Sequence, residues 1–392
     1  MDINVTHAVV FTSVVLARFI VPLFILRYPL PAIIAALVID AVDQTVFQIF
    51  TDSELKGYQS YDKALDVYYL AIAYIATMRN WTNIAAYQAG RFLWYYRLAG
   101  ATLFELVGWR PLLLIFPNTF EYFFIAIEGV RTRWSMRRLS KENVLAVAAF
   151  IWIVIKLPQE AWIHVFQFDV TDAFKKRVLG TPLDASWGEA FGNNLWIFPV
   201  LLVIVAAAWL GIRWVARRLP PGDWAPTIDA NENVDDLARV ELRPRAERHW
   251  REGLAEKLVL VALISVIFAQ MLPNVHVRPL QMIIGVSVVV IANAVISHWL
   301  AARGTHWRST ATEFASLAAI NLGIGVLYIL IMPSFGAEVG RIGLLFFTFL
   351  LTLIITLYDR YRPVIDALME AEAALAARAT VSRPAEEPGV PA

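Results

Sequence analysis

Apolar stretches of about the length a bilayer demands of a helix recur along the whole chain, at roughly 7–27, 30–50, 64–80, 83–107, 111–130, 143–167, 194–215, 255–273, 279–301, 311–333 and 340–359. A hydrocarbon core of about 30 Å needs about 20 apolar residues in helical conformation. The pattern therefore predicts an all-α, polytopic transmembrane bundle of about 11 spans. A polar break over 216–254 divides it seven plus four. The expected domains are a seven-span bundle over 1–215, a cytoplasmic linker over 216–254, a four-span bundle over 255–361 and a disordered cytoplasmic tail over 362–392.

Within the first half the apolar stretches are not uniform, because charged and amide side chains fall in register on single helical faces. Asp40, Asp43, Gln44 and Gln48 share one span, Gln88 and Arg91 another, Asn118 and Glu121 a third, and Lys156, Glu160, His164 and Gln167 a fourth. Spacings of three, four, seven, eight and eleven residues align each set along one side of a helix. A charged side chain at mid-membrane costs about 2.5 to 3.5 kcal/mol on insertion scales, so these groups must face one another, water or a ligand. A buried polar chamber is the expectation, lined by Asp43, Gln44, Gln88, Arg91, Asn118, Glu121, Lys156, Glu160 and His164. In the last four spans Asn293, His298, Glu313 and Asn321 are scattered, and packing explains them.

Composition agrees with the class. The chain is 58% hydrophobic and 17% charged, with 14 Trp and a mean hydropathy of +0.57, too apolar for a soluble fold of 392 residues. The absence of cysteine excludes disulfides, thiolate nucleophiles, Fe–S clusters and Cys-ligated zinc. With a net charge of +1 and no basic stripe interleaved with aromatics, nucleic acid is not an expected partner; the lipid bilayer is. Met1 to Thr6 has no Lys or Arg ahead of its apolar run, so the first span reads as retained and not as a cleaved signal.

Orientation follows from the Lys/Arg bias of short loops. Arg131, Arg133, Arg137, Arg138 and Lys141 form the densest cluster, and Arg213, Arg217 and Arg218 the next. Those loops are expected in the cytoplasm, which places the N-terminus outside and the C-terminus inside, in a multi-pass protein of the bacterial plasma membrane.

Hairpin geometry separates structural charges from candidate functional ones. With 1.5 Å of rise per residue on each side of a turn at Tyr28 and Pro29, Arg18 lies level with Asp40. The same count around Trp81 sets Asp66 level with Arg97. Both are read as structural ion pairs, since a partner is the cheapest way to keep a charge in lipid. In the sixth span Pro158 removes a backbone donor between Lys156 and Glu160, so a kink near residue 154 is expected. Lys156 and Glu160, four apart, can pair on one helix.

No metal site is assigned: His7, His164, Asp169, Asp172 and His276 carry no ligand spacing. Asp40 and Asp43 could hold Mg²⁺ against a diphosphate, but no second Asp-rich segment accompanies them. Asp52 and Glu54 read as a solvated outer loop. The chain also lacks a P-loop, a dinucleotide turn, Gly-x-Ser-x-Gly and His-Glu-x-x-His. The leading functional expectation is a transporter or ion-coupled carrier of a small polar or anionic solute. The alternative is a membrane-embedded enzyme acting on a lipid or lipid-linked substrate, and the third a structural subunit.

Overall fold

A computed structural model describes residues 5–50, 58–166, 173–182, 185, 187–232, 250–271, 275–276, 310–331, 338–339 and 341–381, with single positions at 284, 287–288, 291–292 and 295. The fold is helical. Helix α1 (Val5–Ile20) tightens into a 3₁₀ segment (Val21–Leu26), and α2 (Pro29–Phe50), α3 (Tyr58–Asn80) and α4 (Ile84–Val107) follow through short turns. Next come α5 (Pro111–Ile115), α6 (Thr119–Arg131) and α7 (Lys141–Phe150), which continues as π-helical turns at Ile151–Lys156 and Ala161–Val165 around an α-helical turn at Leu157–Glu160. The rest comprises α8 (Trp187–Gly192), α9 (Ile197–Ala216), α10 (Trp250–Met271), α11 (Thr310–Ile331) and α12 (Arg341–Val381). The one strand pairing among the described residues is antiparallel, Val275–His276 with Glu338–Val339.

Among the described residues, four helical stretches are long and apolar enough to cross a membrane: Val9–Leu26, Pro111–Arg131, Lys141–Ile163 and Ile197–Ala216. The protein is thus a helical protein with several helices whose length and composition suit a membrane. The proposed span over 279–301 lies almost wholly outside the described residues.

Two of these stretches are irregular, and the sequence says why. Pro117 cannot continue the i→i−4 ladder, and the helix breaks between Ile115 and Thr119. In α7 the expected kink near residue 154 takes the form of π-helical turns on both sides of Pro158, widening the ladder to absorb the missing donor. Gly108 ends α4 at φ 71° in the left-handed region, where a residue without Cβ is at no disadvantage. This sharp stop returns the chain at Trp109 and Arg110.

The core lies between α2, α3, α4, α6 and the two long C-terminal helices, with Trp81, Trp94, Tyr68, Tyr74, Phe120, Phe123 and Phe124 fully buried. Trp81 stacks on Phe124 with ring centroids 5.8 Å apart. Helices α10 and α12 pack directly on α3 and α4. The seven-plus-four division of the sequence is therefore not a division of the core. Asn321 donates to the Thr352 hydroxyl at 2.9 Å, which ties α11 to α12 as a packing contact.

Residues 217–232 return across one end of the bundle as a strap. Asp223 accepts from the Ser135 amide at 2.8 Å and pairs with Arg138. The Thr227 amide donates to Thr132 O at 3.0 Å, and Arg27 pairs with Asp229 at 2.9 Å. Arg79 bonds to Asn231 at 2.5 Å. The strap, the α1–α2 turn, the α3–α4 turn and the basic loop at 131–141 thus share one end.

The last helix departs from expectation. The segment from 362, read as a disordered tail, is helical as far as Val381. Its first turns still reach the core, with Ile365 buried in it and Leu368 and Met369 packed against it; beyond them the Ala- and Glu-rich sequence has high helix propensity, and the apolar helix before it supplies the nucleus. Helix α9 differs in another way: only 6% of its apolar window is buried, so it stands clear of the other described helices.

Candidate functional site

Arg18 on α1 is the first node of a buried polar network. It is 4% exposed and pairs with Asp40 at 2.5 Å, with Asp43 and with Asp66 on α3. The expected Arg18–Asp40 pair is therefore one edge of a four-residue cluster. Asp43, expected in the chamber, is drawn to the same guanidinium. Asp66, expected to meet Arg97, also reaches Arg18, because equal depth on adjacent helices fixes height but not azimuth.

One helical turn from Asp66, Tyr69 continues the path. Its hydroxyl donates to Glu121 Oε1 at 2.6 Å, while Asn118 Nδ2 donates to Glu121 Oε2 at 2.8 Å. The Asn118 amide, at the start of α6, donates to Glu160 at 3.4 Å. Carboxylates thus sit where the broken span exposes the positive end of α6. At the other side of the break, α4 satisfies the freed carbonyls: Tyr96 donates to Ile115 O at 2.8 Å and Arg97 to Phe116 O at 3.1 Å. Gly100 permits this approach, since a methyl there would overlap Phe116.

Lys156 is buried and rests on the Tyr122 ring, 3.9 Å from its centroid. Among the described residues no carboxylate lies within salt-bridge distance of it, so the i,i+4 pairing with Glu160 is replaced by a cation–π contact.

Beside this network a cleft of about 470 Å³ is lined by Asp66, Trp94, Arg97, Glu105, Arg110 and Asn118, with Leu70, Leu98, Leu113 and Ile163 among its apolar wall. Of the residues expected in one chamber, the structure brings together Asp43, Asn118, Glu121, Lys156 and Glu160. It separates two others. Gln88 is exposed, and Arg91 turns to Glu256 on α10 at 3.0 Å. The Gln88–Arg91 face of α4 meets α10, a neighbour that spacing within α4 cannot identify. The side chains of Gln44 and His164, and those of Gln48 and Gln167, lie outside the described residues, as do Asp52, Glu54, Asp169 and Asp172.

Glu256 centres a second buried cluster that sequence reasoning missed. It accepts from Arg91, Arg362 and the Tyr74 hydroxyl at 2.5 Å. Next to it Lys257 pairs with Asp359 at 2.8 Å. Both acid and lysine fall in the first residues of the span expected over 255–273, just past the linker, where charges read as a solvated helix end. The matching pair Asp359 and Arg362 at the end of the last apolar stretch was the available signal. A third buried pair, Glu128 with Arg131 at 2.7 Å, is capped by the Trp81 indole N–H at 2.8 Å.

No family model matches the chain, and neither a curated protein nor a solved structure is similar to it.

Proposed function

We propose that this is a multi-pass membrane protein that carries a small polar or anionic solute through its N-terminal half, coupled to movement of an ion. The observation that carries this reading is the broken span: α5 and α6 interrupt at Pro117 beside the cleft, with Glu121 and Glu160 at the exposed end of α6. Discontinuous helices next to buried charges are where carriers hold substrates and coupling ions. In this reading the cleft receives the solute and the Arg18-to-Glu160 path holds or releases the coupling cation. Eleven spans, an outer N-terminus and an inner C-terminus complete the arrangement, with the strap on the cytoplasmic side of a bacterial plasma membrane, in keeping with the basic residues gathered at that end.

A second reading, an enzyme acting on a lipid-linked substrate, is favoured by one observation, the apolar wall opposite the cleft's arginines. Glu160→Gln separates the two. In proteoliposomes a carrier loses gradient-driven uptake of anionic solutes while its melting temperature holds. An enzyme instead loses turnover of a lipid substrate in detergent, with no gradient needed. Wild-type behaviour of Glu160→Gln and Lys156→Met in both assays leaves only a structural role for the network.

A further inference from the structure

The cleft contains binding groups that the protein itself leaves unused. Two guanidiniums line it, Arg97 and Arg110, and neither has a carboxylate within 4 Å among the described residues. Arg97 spends one N–H on the Phe116 carbonyl, and Arg110 is exposed at the mouth. Two further polar atoms in the lining are buried without any partner: the indole N–H of Trp94, a residue 1% exposed, and the side-chain oxygen of Asn118. A buried polar atom is rarely left without a partner, so two such atoms on residues of one cleft mark a place completed by a ligand.

Their chemistry defines that ligand. Arg97, Arg110 and Trp94 are donors only, two of them cationic, and together they suit the oxygens of a phosphate or another acidic group. Asn118 Oδ1 is an acceptor and asks for a hydroxyl on the same molecule, such as a P–OH. Leu70, Leu98, Leu113 and Ile163 give the cleft an apolar side and have nothing to offer a free inorganic ion. The lining also holds two carboxylates, Glu105 and Asp66, the latter paired with Arg18.

Position agrees with composition. The strap binds residues 132 to 135, and Asn83 binds the carbonyls of Met136 and Leu139. The apolar stretches Pro111–Arg131 and Lys141–Ile163 therefore have 131 and 141 at the strap end and 111 and 163 at the other. Arg110 and Ile163 mark the mouth, at the level where apolar span gives way to interface. Asn118 lies about 10 Å deeper at 1.5 Å per residue.

We propose that the cleft binds the acidic head group of an amphiphile: a phosphate-type anion on Arg97, Arg110 and the Trp94 N–H, with its apolar body along Leu98, Leu113 and Ile163. The proposal rests on the cleft being the binding site, and it holds whether the bound molecule is then moved or converted.

Dodecyl phosphate is the probe, titrated calorimetrically into the purified full chain in neutral maltoside detergent. Inorganic phosphate tests the head group alone, and dodecyl trimethylammonium tests the chain with the opposite charge. Saturable binding of dodecyl phosphate is expected, weakened about tenfold by Arg110→Gln, as for loss of a charged hydrogen bond. Trp94→Phe keeps the ring and should weaken binding several-fold. Because Arg97 also caps a backbone carbonyl, Arg97→Lys is used in place of a neutral variant and should weaken binding while preserving the melting temperature. Arg27→Gln, at the α1–α2 turn facing the strap, should bind as wild type. Unchanged affinity in both Arg110→Gln and Trp94→Phe overturns the proposal. Equal affinity for inorganic phosphate overturns it too, because the apolar body then contributes nothing, and so does equal affinity for the cationic amphiphile. The titration reads no transport, so its failure is distinct from loss of coupled uptake in Glu160→Gln.

Discussion

Removing the guanidinium of Arg18 should cost more than removing any one of the acids it holds. Three carboxylates converge on it, with side-chain exposures of 29% for Asp40, 1% for Asp43 and 38% for Asp66. In Arg18→Gln, Asp43 stays in a dry site and loses the guanidinium paired with it, and breaking a buried pair in this way costs about 3 to 5 kcal/mol. Asp40 and Asp66 are less deeply buried and add less, about 1 kcal/mol or below each. Asp40→Asn alone leaves Arg18 two carboxylates and should cost about 1 kcal/mol, whereas Asp43→Asn, at the buried corner, should cost about 2. The double variant Arg18→Gln with Asp43→Asn should recover more than half of the single Arg18→Gln loss, since the stranded charge is gone. Reversible unfolding in mixed micelles gives the four values needed for the cycle. An Arg18→Gln loss below about 1 kcal/mol, or strict additivity in the double variant, would refute the reasoning.

Glu256→Gln should loosen the seam between α4, α10 and α12, leaving Arg91 and Arg362 facing each other; a loss of about 3 kcal/mol is expected, against about 1 for Arg91→Gln, whose side chain is 40% exposed. Melting in detergent ranks the two, and equal losses would contradict the assignment of Glu256 as the centre. Gly100→Ala forces a methyl into Phe116 and should destabilise by about 1 to 3 kcal/mol; Phe116→Ala in the same chain should relieve part of it, and a neutral Gly100→Ala would show that α4 and the break are not in contact. On the strap, the Asn231 amide and then the Arg27 guanidinium hold the Asp229 carboxyl below its usual range. A depressed acid contributes stability above its unfolded pKa of about 3.9, lost as pH falls through the lower folded value. Protection factors of the amides over 223–232, taken against the intrinsic exchange rate at each pH, should therefore fall below about pH 4 in wild type, while Asp229→Asn should show the lower protection already at neutral pH.

How much of this was legible in the sequence differs from one residue to the next. The level of Arg18 with Asp40 followed from counting rises on each side of Tyr28, because a tight hairpin fixes depth. Which side of α3 would face that pair did not, so Asp66 was matched with Arg97. Asn118, Glu121, Lys156 and Glu160 were visible as stripes, since charge within an apolar run has few places to go. Arg91 was visible as well, but its partner lies on a helix more than 150 residues later, and no local period encodes that. Glu256 and Arg362 sit at the charged margins of apolar runs, where an ion pair looks the same as a solvated helix end. The cleft's unused donors belong to Trp94, Arg97 and Arg110, of which only Arg97 stood out in the sequence. An aromatic inside an apolar helix carries no sign that its N–H lacks a partner.

Helix α9 is left almost uncovered by the other described residues. Of its twenty residues, Ile197 at the start packs against Leu179 and Ala190, and the apolar length that follows makes little use of side-chain identity. What the helix supplies is parity. It starts beyond the far end of α7 and delivers the chain to Pro220 and Pro221, whose carbonyls accept from the Trp134 indole. On the proposed topology, without one crossing at that point the strap would emerge on the wrong face, and Asp223 and Asp229 could not reach Arg138 and Arg27. An inert stretch of hydrocarbon-loving residues thereby decides which end of the bundle is closed.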